Sequence, residues 1–564
     1  GLSGELSLST GDATDNTINI STGNNDTTIS ASGDGDVVSV NAEDMAAGTT
    51  LDLSGSADFA VSDVVADMDA SGTSGEVSVS YGEVGGEASI ESGSGSLTIG
   101  GGGSGDTLNI DASLMGEGEV LSSSGAADQE VSGVVGDISA SGLEGDLIVT
   151  TGDAEDGEIS ITLGSGDAVI VGSGLDDTIS ISGDVMLEGS TLELGGVSSF
   201  EVSGLEGNAD LSGASGEVSL STSDAADDQI SITLGSGDTT IVGSGLDDTI
   251  SINGDVMLDS ATLELSGVSS FEVSGLTGNA DLSGASGAVS LSYGDVGDGV
   301  AEITLGSGSS SVSGSDAGDR LEIDASSLSE EVTLSSSGAA DQVVSGVVGD
   351  ISASGLSGEL SLSTGDATDD AISISTGSND TTISASGDGD VVSVNAEDMA
   401  AGTTLDLSGS AEFAITDVVA DMDASGTSGD VSVSYGEVGG EASIESGSGS
   451  LTIGGGGSGD MLAIDASRMA EGEVLSSSGA ASQEVSGVVA DITASGLSGE
   501  LSLSTGDATD NTINISTGNN DTTISASGDG DVVSVNAEDM AAGTTLDLSG
   551  SAEFAITDVV ADMD

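Results

Sequence analysis

The sequence predicts an all-β repeat protein, most simply a parallel β-solenoid, and three observations carry that expectation. A stretch of about seventy residues, Gly1 to Ala70, returns almost letter for letter from Gly355 and from Gly496, with looser versions opening at Gly72, Gly142, Gly213, Gly284 and Gly426. Fixed self-similarity at this scale is the mark of a repeat architecture. Within each copy the apolar residues alternate at period two, as in strands with one buried face. Between those pairs lie short runs of Gly, Asp, Asn, Ser and Thr, which are turn chemistry. The eight repeats are 1–71, 72–141, 142–212, 213–283, 284–354, 355–425, 426–495 and a truncated 496–564, read as one continuous rod.

In the first repeat the alternating pairs are Leu6/Leu8, Ile18/Ile20, Ile29/Ala31, Val38/Val40, Leu51/Leu53, Phe59/Val61 and Met68/Ala70. Seven strands are therefore expected, about one every ten residues. TGDATDN, TGNND, SGDGD and SGSAD read as corners, and NAEDMAAG (Asn41 to Gly48) as a corner or a single helical turn. Small side chains, Gly-rich corners and the lack of any linker favour a solenoid whose coils bury a narrow aliphatic core against one another. With roughly 18 to 24 residues per coil a repeat makes three or four coils. At about 4.8 Å per coil the rod is roughly 115–150 Å long. Tandem small β-sandwiches are the alternative, although seven strands of a sandwich usually take about 100 residues.

Composition narrows the function. There are 99 acids against two bases, a net charge of −97, and no His, Cys or Pro. That much like charge opposes any compact state, so the fold is expected to bind cations or to sit in strong salt. An acidic surface repels phosphate backbones and anionic headgroups, and no basic patch exists to bind nucleic acid. No run of eighteen apolar residues offers a membrane span. The sequence opens and closes inside its own pattern and reads as an excerpt or processed core of a longer chain.

Acids recur in register at two corners. The first follows the opening strand: Asp12/Asp15, Asp153/Asp156, Asp224/Asp227, Asp295/Asp298, Asp366/Asp369 and Asp507/Asp510, with Glu83/Glu87 and Glu437/Glu441 in the second and seventh repeats. The second precedes the fourth strand: Asp34/Asp36, Asp106, Asp176/Asp177, Asp247/Asp248, Asp319, Asp388/Asp390, Asp460 and Asp529/Asp531. Calcium takes six to eight oxygens from carboxylates and backbone carbonyls, and glycine lets those carbonyls turn inward. Stacked coils would place acid beside acid, and Ca2+ bridging them would staple coil to coil. The alternatives are that the acids simply populate solvated turns, or that they adapt the surface to high salt.

Two resemblances follow from particular residues. GSGDAVIVGSGLDDTISISG (Gly164 to Gly183) and its twin from Gly235 resemble the RTX nonapeptide of calcium-loaded β-rolls, with Gly172, Asp177 and Ile179 on the first glycine, the aspartate and the apolar position. Ser173 and Leu175 stand where that motif has glycines. Over the whole chain, runs such as Val344 to Gly377 are similar to the long bacterial β-strand-repeat proteins, surface-layer-like or adhesin-like. The resemblance implies a structural role, an extracellular or cell-surface location, type I secretion and calcium-dependent assembly.

A fibre, surface layer or adhesin stalk accounts together for length, repetition, acidity and the missing cysteine. Enzyme action is not expected: acid pairs repeated in every unit lack the singular environment that tunes a catalytic pKa, even though paired carboxylates can hydrolyse glycosides. A carbohydrate- or ice-binding module is the further alternative. Tyr81, Tyr293 and Tyr435 would be its aromatic candidates, although they read better as corner packing, and Thr27/Thr28 and Thr49/Thr50 its threonine ladders. Arg320 is expected to pair with neighbouring acids and Arg468 to be surface variation. Partners are divalent cations and further copies of the chain, in a filament, bundle or lattice, since open solenoid ends present unpaired strand edges.

Overall fold

The computed structural model describes the chain apart from residues 1–3, 12–16, 34, 155–156, 183–189, 224–228, 247, 256, 259, 298, 366–370, 388–389, 507–511, 528–530 and 564. The described residues form strands and turns with no helix. The chain divides into two compact halves, Gly1–Ala288 and Val289–Asp564. Each is a β-solenoid whose successive strands alternate between two parallel sheets, so that every strand pairs with the next but one.

The first repeat supplies β1 (Leu6–Thr10), β2 (Thr17–Ser21), β3 (Thr27–Ala31), β4 (Val37–Asn41), β5 (Thr50–Gly55), β6 (Asp58–Val64) and β7 (Asp67–Thr73). All seven coincide with the alternating pairs of the sequence. Leu6 lies beside Thr27, Thr27 beside Leu51 and Leu51 beside Met68, so the coils take 21, 24 and 17 residues. The Asn41–Gly48 segment is a corner of two turns, closed by Met45 N–H to Ala42 O (2.9 Å), and its Met45 side chain is buried.

Seven strands at two per coil make three and a half coils. Within each half, each repeat therefore begins on the sheet opposite to the one before. β1 pairs with β3 in one sheet, whereas β8 (Val77–Tyr81), its counterpart in the second repeat, joins β6 in the other. The counterparts Leu147–Thr151 and Val218–Thr222 alternate in the same way. In the second half, Val289–Tyr293 and Leu360–Thr364 again fall on opposite sheets.

Inward residues stack into aliphatic ladders. Ile90, Ile110, Val131, Val149, Ile170 and Leu194 are successive neighbours in register, each buried. Full burial of such a side chain contributes roughly 1.5–3 kcal/mol, and this ladder packs coil on coil with aliphatic side chains alone.

Two backbone features recur along the chain. Strand five ends on a glycine at positive φ (Gly55, Gly125, Gly196, Gly267, Gly338, Gly409, Gly479 and Gly550). Its missing Cβ leaves room for a carbonyl of the preceding coil, Ala31 O in the case of Gly55. Strand six carries a bulge, with a register shift between Val61 and Val64. The left-handed residue there is Asp63, Asp417 or Asp558 in three repeats and glycine, such as Gly133 or Gly346, in the others.

Candidate functional site: buried corner aspartates and acid rows

The acids of the second corner divide into an inner and an outer set. Asp36, Asp106, Asp177, Asp248, Asp319, Asp390, Asp460 and Asp531, one per repeat, are all buried, with exposures of 1–7 %. Asp176, beside Asp177, is exposed. The local turn explains the inward aim. The amide of each described turn bonds back three residues, as in Asp106 N–H to Gly103 O (3.0 Å) and Asp460 N–H to Gly457 O (3.1 Å). The carboxylate then folds over the glycine, where a Cβ would collide with it, as at Gly174 over Asp177 and Gly387 over Asp390.

The carboxylate reaches the first acidic corner of the coil before. Asp106 Oδ2 accepts from the amides of Val84 (2.9 Å) and Gly103 (2.8 Å), and its Oδ1 from Gly85 (2.8 Å) and Gly86 (3.1 Å). Asp460 repeats the arrangement with Val438 (2.9 Å), Gly439 (3.0 Å) and Gly457 (2.7 Å). Asp177 accepts from Ala154 N–H (3.3 Å) and Asp319 from Val296 N–H (3.0 Å). The carbonyl of the same residue faces the coil after: Asp128 N–H donates to Asp106 O and Asp341 N–H to Asp319 O. Asp106, Asp177, Asp319 and Asp460 thus each rivet three successive coils. At Asp106 and Asp460 the oxygens face amide donors, an environment that suits an anion and does not fit a cation.

The acids of the first corner that the structure describes, Asp153, Asp295, Glu83, Glu87, Glu437 and Glu441, are exposed. Asp12, Asp15, Asp34, Asp156, Asp224, Asp227, Asp247, Asp298, Asp366, Asp369, Asp388, Asp507, Asp510 and Asp529 lie outside the described residues.

A second acidic feature lies on the sheet faces. Asp52, Asp69, Glu91 and Asp111 occupy one outward column on four neighbouring strands. Asp406, Asp423, Glu445 and Asp465 form the same column in the second half. Neighbouring strands are about 4.8 Å apart, and like charges directly opposite each other are destabilising. Sequence inspection missed these rows because their members sit mid-strand, 17, 22 and 20 residues apart. The signal was present: an acid at the central outward position of four alternate strands. Equivalent columns elsewhere are neutral, for example Ser335, Ser352, Ser375 and Asn395.

Asp106 and Asp460 in the corners and Asp406 in a row titrate in opposite senses, while Asp111, in the other row, is held low by the hydroxyl and amide of Ser113. Burial pushes the Asp106 carboxyl up, but the amides of Gly103, Val84, Gly86 and Gly85 outweigh it and hold the group below its ordinary value of 3.8. Asp460 is held low by the Gly457 amide first, then, against its burial, by Val438, Gly439 and Gly440. Burial and then the charge of Asp423 push Asp406 up. A depressed carboxyl lends stability that is present above the unfolded value and lost as pH falls through the lower folded one. A raised carboxyl does the reverse, so its cost is lifted as pH falls toward 3.8. The melting temperature at fixed ionic strength is therefore expected to rise on mild acidification and to collapse below about pH 3.8. A monotonic fall from pH 7 would contradict the cost assigned to Asp406.

Among the described residues no three acids converge as a metal-binding group. Arg320 Nε pairs with Glu322 Oε1 (3.1 Å), and Arg468 Nη1 donates to Ser425 O (3.3 Å), two residues beyond Asp423. The three tyrosine side chains are buried, so none of them offers an aromatic platform to solvent. Thr28 stands in a column between Ser7 and Asp52, which interrupts a threonine ladder. One shallow hollow on an outer sheet face, of about 540 Å3 and lined by Asn19, Ser39, Asn41, Ser62 and Ser80, offers only hydroxyl, amide and small apolar surface, whereas another of about 530 Å3 is lined by Glu302, Arg320, Glu322 and Asp324. Compared with known proteins, the chain matches no family model, no curated protein and no solved structure.

Proposed function

We propose that the chain is an extracellular structural repeat protein, a fibre, surface-layer or adhesin-stalk element, whose coils are stabilised by calcium at the exposed acids. The observation that carries this reading is repetition of the site itself: every repeat has the same inner aspartate at the same corner, and none has a chemically singular pocket among the described residues. A chain built this way supplies length and multiple equivalent surfaces. The acid rows deepen the reading, because four carboxylates in register offer the hard oxygen ligands that calcium prefers. Folding would then be coupled to cation binding, so that the chain stays loose where calcium is scarce and locks after export. Bridging between the acidic faces of neighbouring molecules would build a filament, bundle or lattice.

One observation favours adaptation to salt instead: the described acids do not converge in threes, and general screening would relieve their repulsion without discrete sites. Circular dichroism and thermal melting separate the two readings. With EDTA, then millimolar calcium at fixed ionic strength, a calcium-specific gain of β-structure and a rise in melting temperature are expected. Equal stabilisation by sodium chloride alone would defeat the calcium proposal and leave a halophilic surface.

A further inference from the structure

Three repeats carry a different core. Where strands five and six face each other across a corner, repeats such as the fourth and sixth place a leucine and a phenylalanine: Leu265/Phe271 and Leu407/Phe413, all buried. Repeats two, five and seven place Ser123/Gln129, Ser336/Gln342 and Ser477/Gln483 there, with exposures of 0–3 %. The exchange is concerted, because the same three repeats alone end strand one on tyrosine where others, such as Thr222 and Thr364, have threonine. A bulky aromatic ring thus enters one position as bulk leaves two others.

The exchanged side chains are polar and inward, and their hydrogen bonding is incomplete. Gln342 Nε2 donates to Ser337 O (3.1 Å), but its Oε1 has no partner, and neither carboxamide atom of Gln129 or Gln483 has one. Ser123 Oγ, Ser336 Oγ and Ser477 Oγ are also buried without a partner. Each Ser–Gln pair flanks one buried alanine, Ala127, Ala340 or Ala481, from opposite sheets. Buried polar groups in folded chains are nearly always satisfied, by protein or by ordered water. A site that exchanges Leu and Phe for Ser and Gln is both smaller in side-chain volume and lined with donors and acceptors, the two conditions a buried water requires.

We infer that each Ser–Gln slice encloses an ordered water shared by the serine hydroxyl and the glutamine carboxamide. The core is accordingly of two kinds, dry at the Leu–Phe slices and hydrated at three places along the chain. The water completes the hydrogen bonding of groups that the fold alone leaves short.

The test uses the full chain. A crystal structure that resolves solvent is expected to place density within hydrogen-bond distance of both side chains in all three slices, with none at Leu265/Phe271. Clearly resolved side chains with no such density would overturn the inference. Stability gives a second, independent sign. Ser123→Ala, Ser336→Ala and Ser477→Ala together should raise the unfolding equilibrium constant by about fivefold or more per site, because each removes a bond to the trapped water. If the hydroxyls are dry and unpaired, the same substitutions stabilise the chain, and the inference fails.

Discussion

Asp106→Ala is expected to cost about 3–5 kcal/mol, because it strips four backbone amides of their acceptor at once and leaves a hole at a coil junction. The donors are the amides of Val84, Gly85, Gly86 and Gly103. They sit in a glycine-rich corner that adopts its shape around the carboxylate, so the loss should unfasten the corner locally. Amide exchange should accelerate at residues 82–87 and 103–106 while strands several coils away keep their protection. Asp106→Asn retains one carbonyl acceptor but turns an NH2 toward amide donors, and should cost about half as much. The contrast with the acid rows is the sharper part of the prediction. Asp406→Asn, which removes a charge held against Asp423, should be neutral or stabilising. Equal destabilisation by the two asparagine variants would show that the buried and exposed acids do not differ in role.

Gly338→Ala should be as damaging, by about 3 kcal/mol or more, although it adds a single carbon. The residue has φ of 98°, a conformation that L side chains rarely adopt, and its Cβ would fall on the carbonyl oxygen of Gly314 in the coil below. That carbonyl also accepts from the Ala339 amide (2.7 Å), so it cannot swing aside without losing a bond. Gly297→Ala is the control. Gly297 also has positive φ (72°), but nothing lies within 4 Å of its added Cβ, so that variant should incur only the backbone strain, about 1 kcal/mol. Thermal or denaturant melts of the two full-length variants decide the matter. A Gly338→Ala protein as stable as Gly297→Ala would mean that the coil spacing yields easily.

Much of this was legible in the residues. Alternating pairs such as Ile29/Ala31 and Leu51/Leu53 located each strand of the first repeat, because a strand with one buried face must alternate whatever it packs against. The recurrence of Asp106, Asp177 and Asp248 in one register marked the second corner as special. That corner's inward aim was not legible. Asp36 and Asp176 are both corner aspartates in sequence, yet one is buried and the other exposed, because the turn hydrogen bond decides which side chain folds over the glycine.

The sequence by itself determined the period, the strand content, the inward faces and the excess of negative charge, since each depends only on local alternation and composition. The tertiary structure decided which residues meet. Coil lengths of 17 to 24 residues set which strand lies on which, and so brought Asp52, Asp69, Glu91 and Asp111 into one row. An odd number of strands per repeat, laid two to a coil, turned each repeat half a coil from the last. Neither result is contained in any local stretch, because contact between coils depends on the summed path of the whole turn between them.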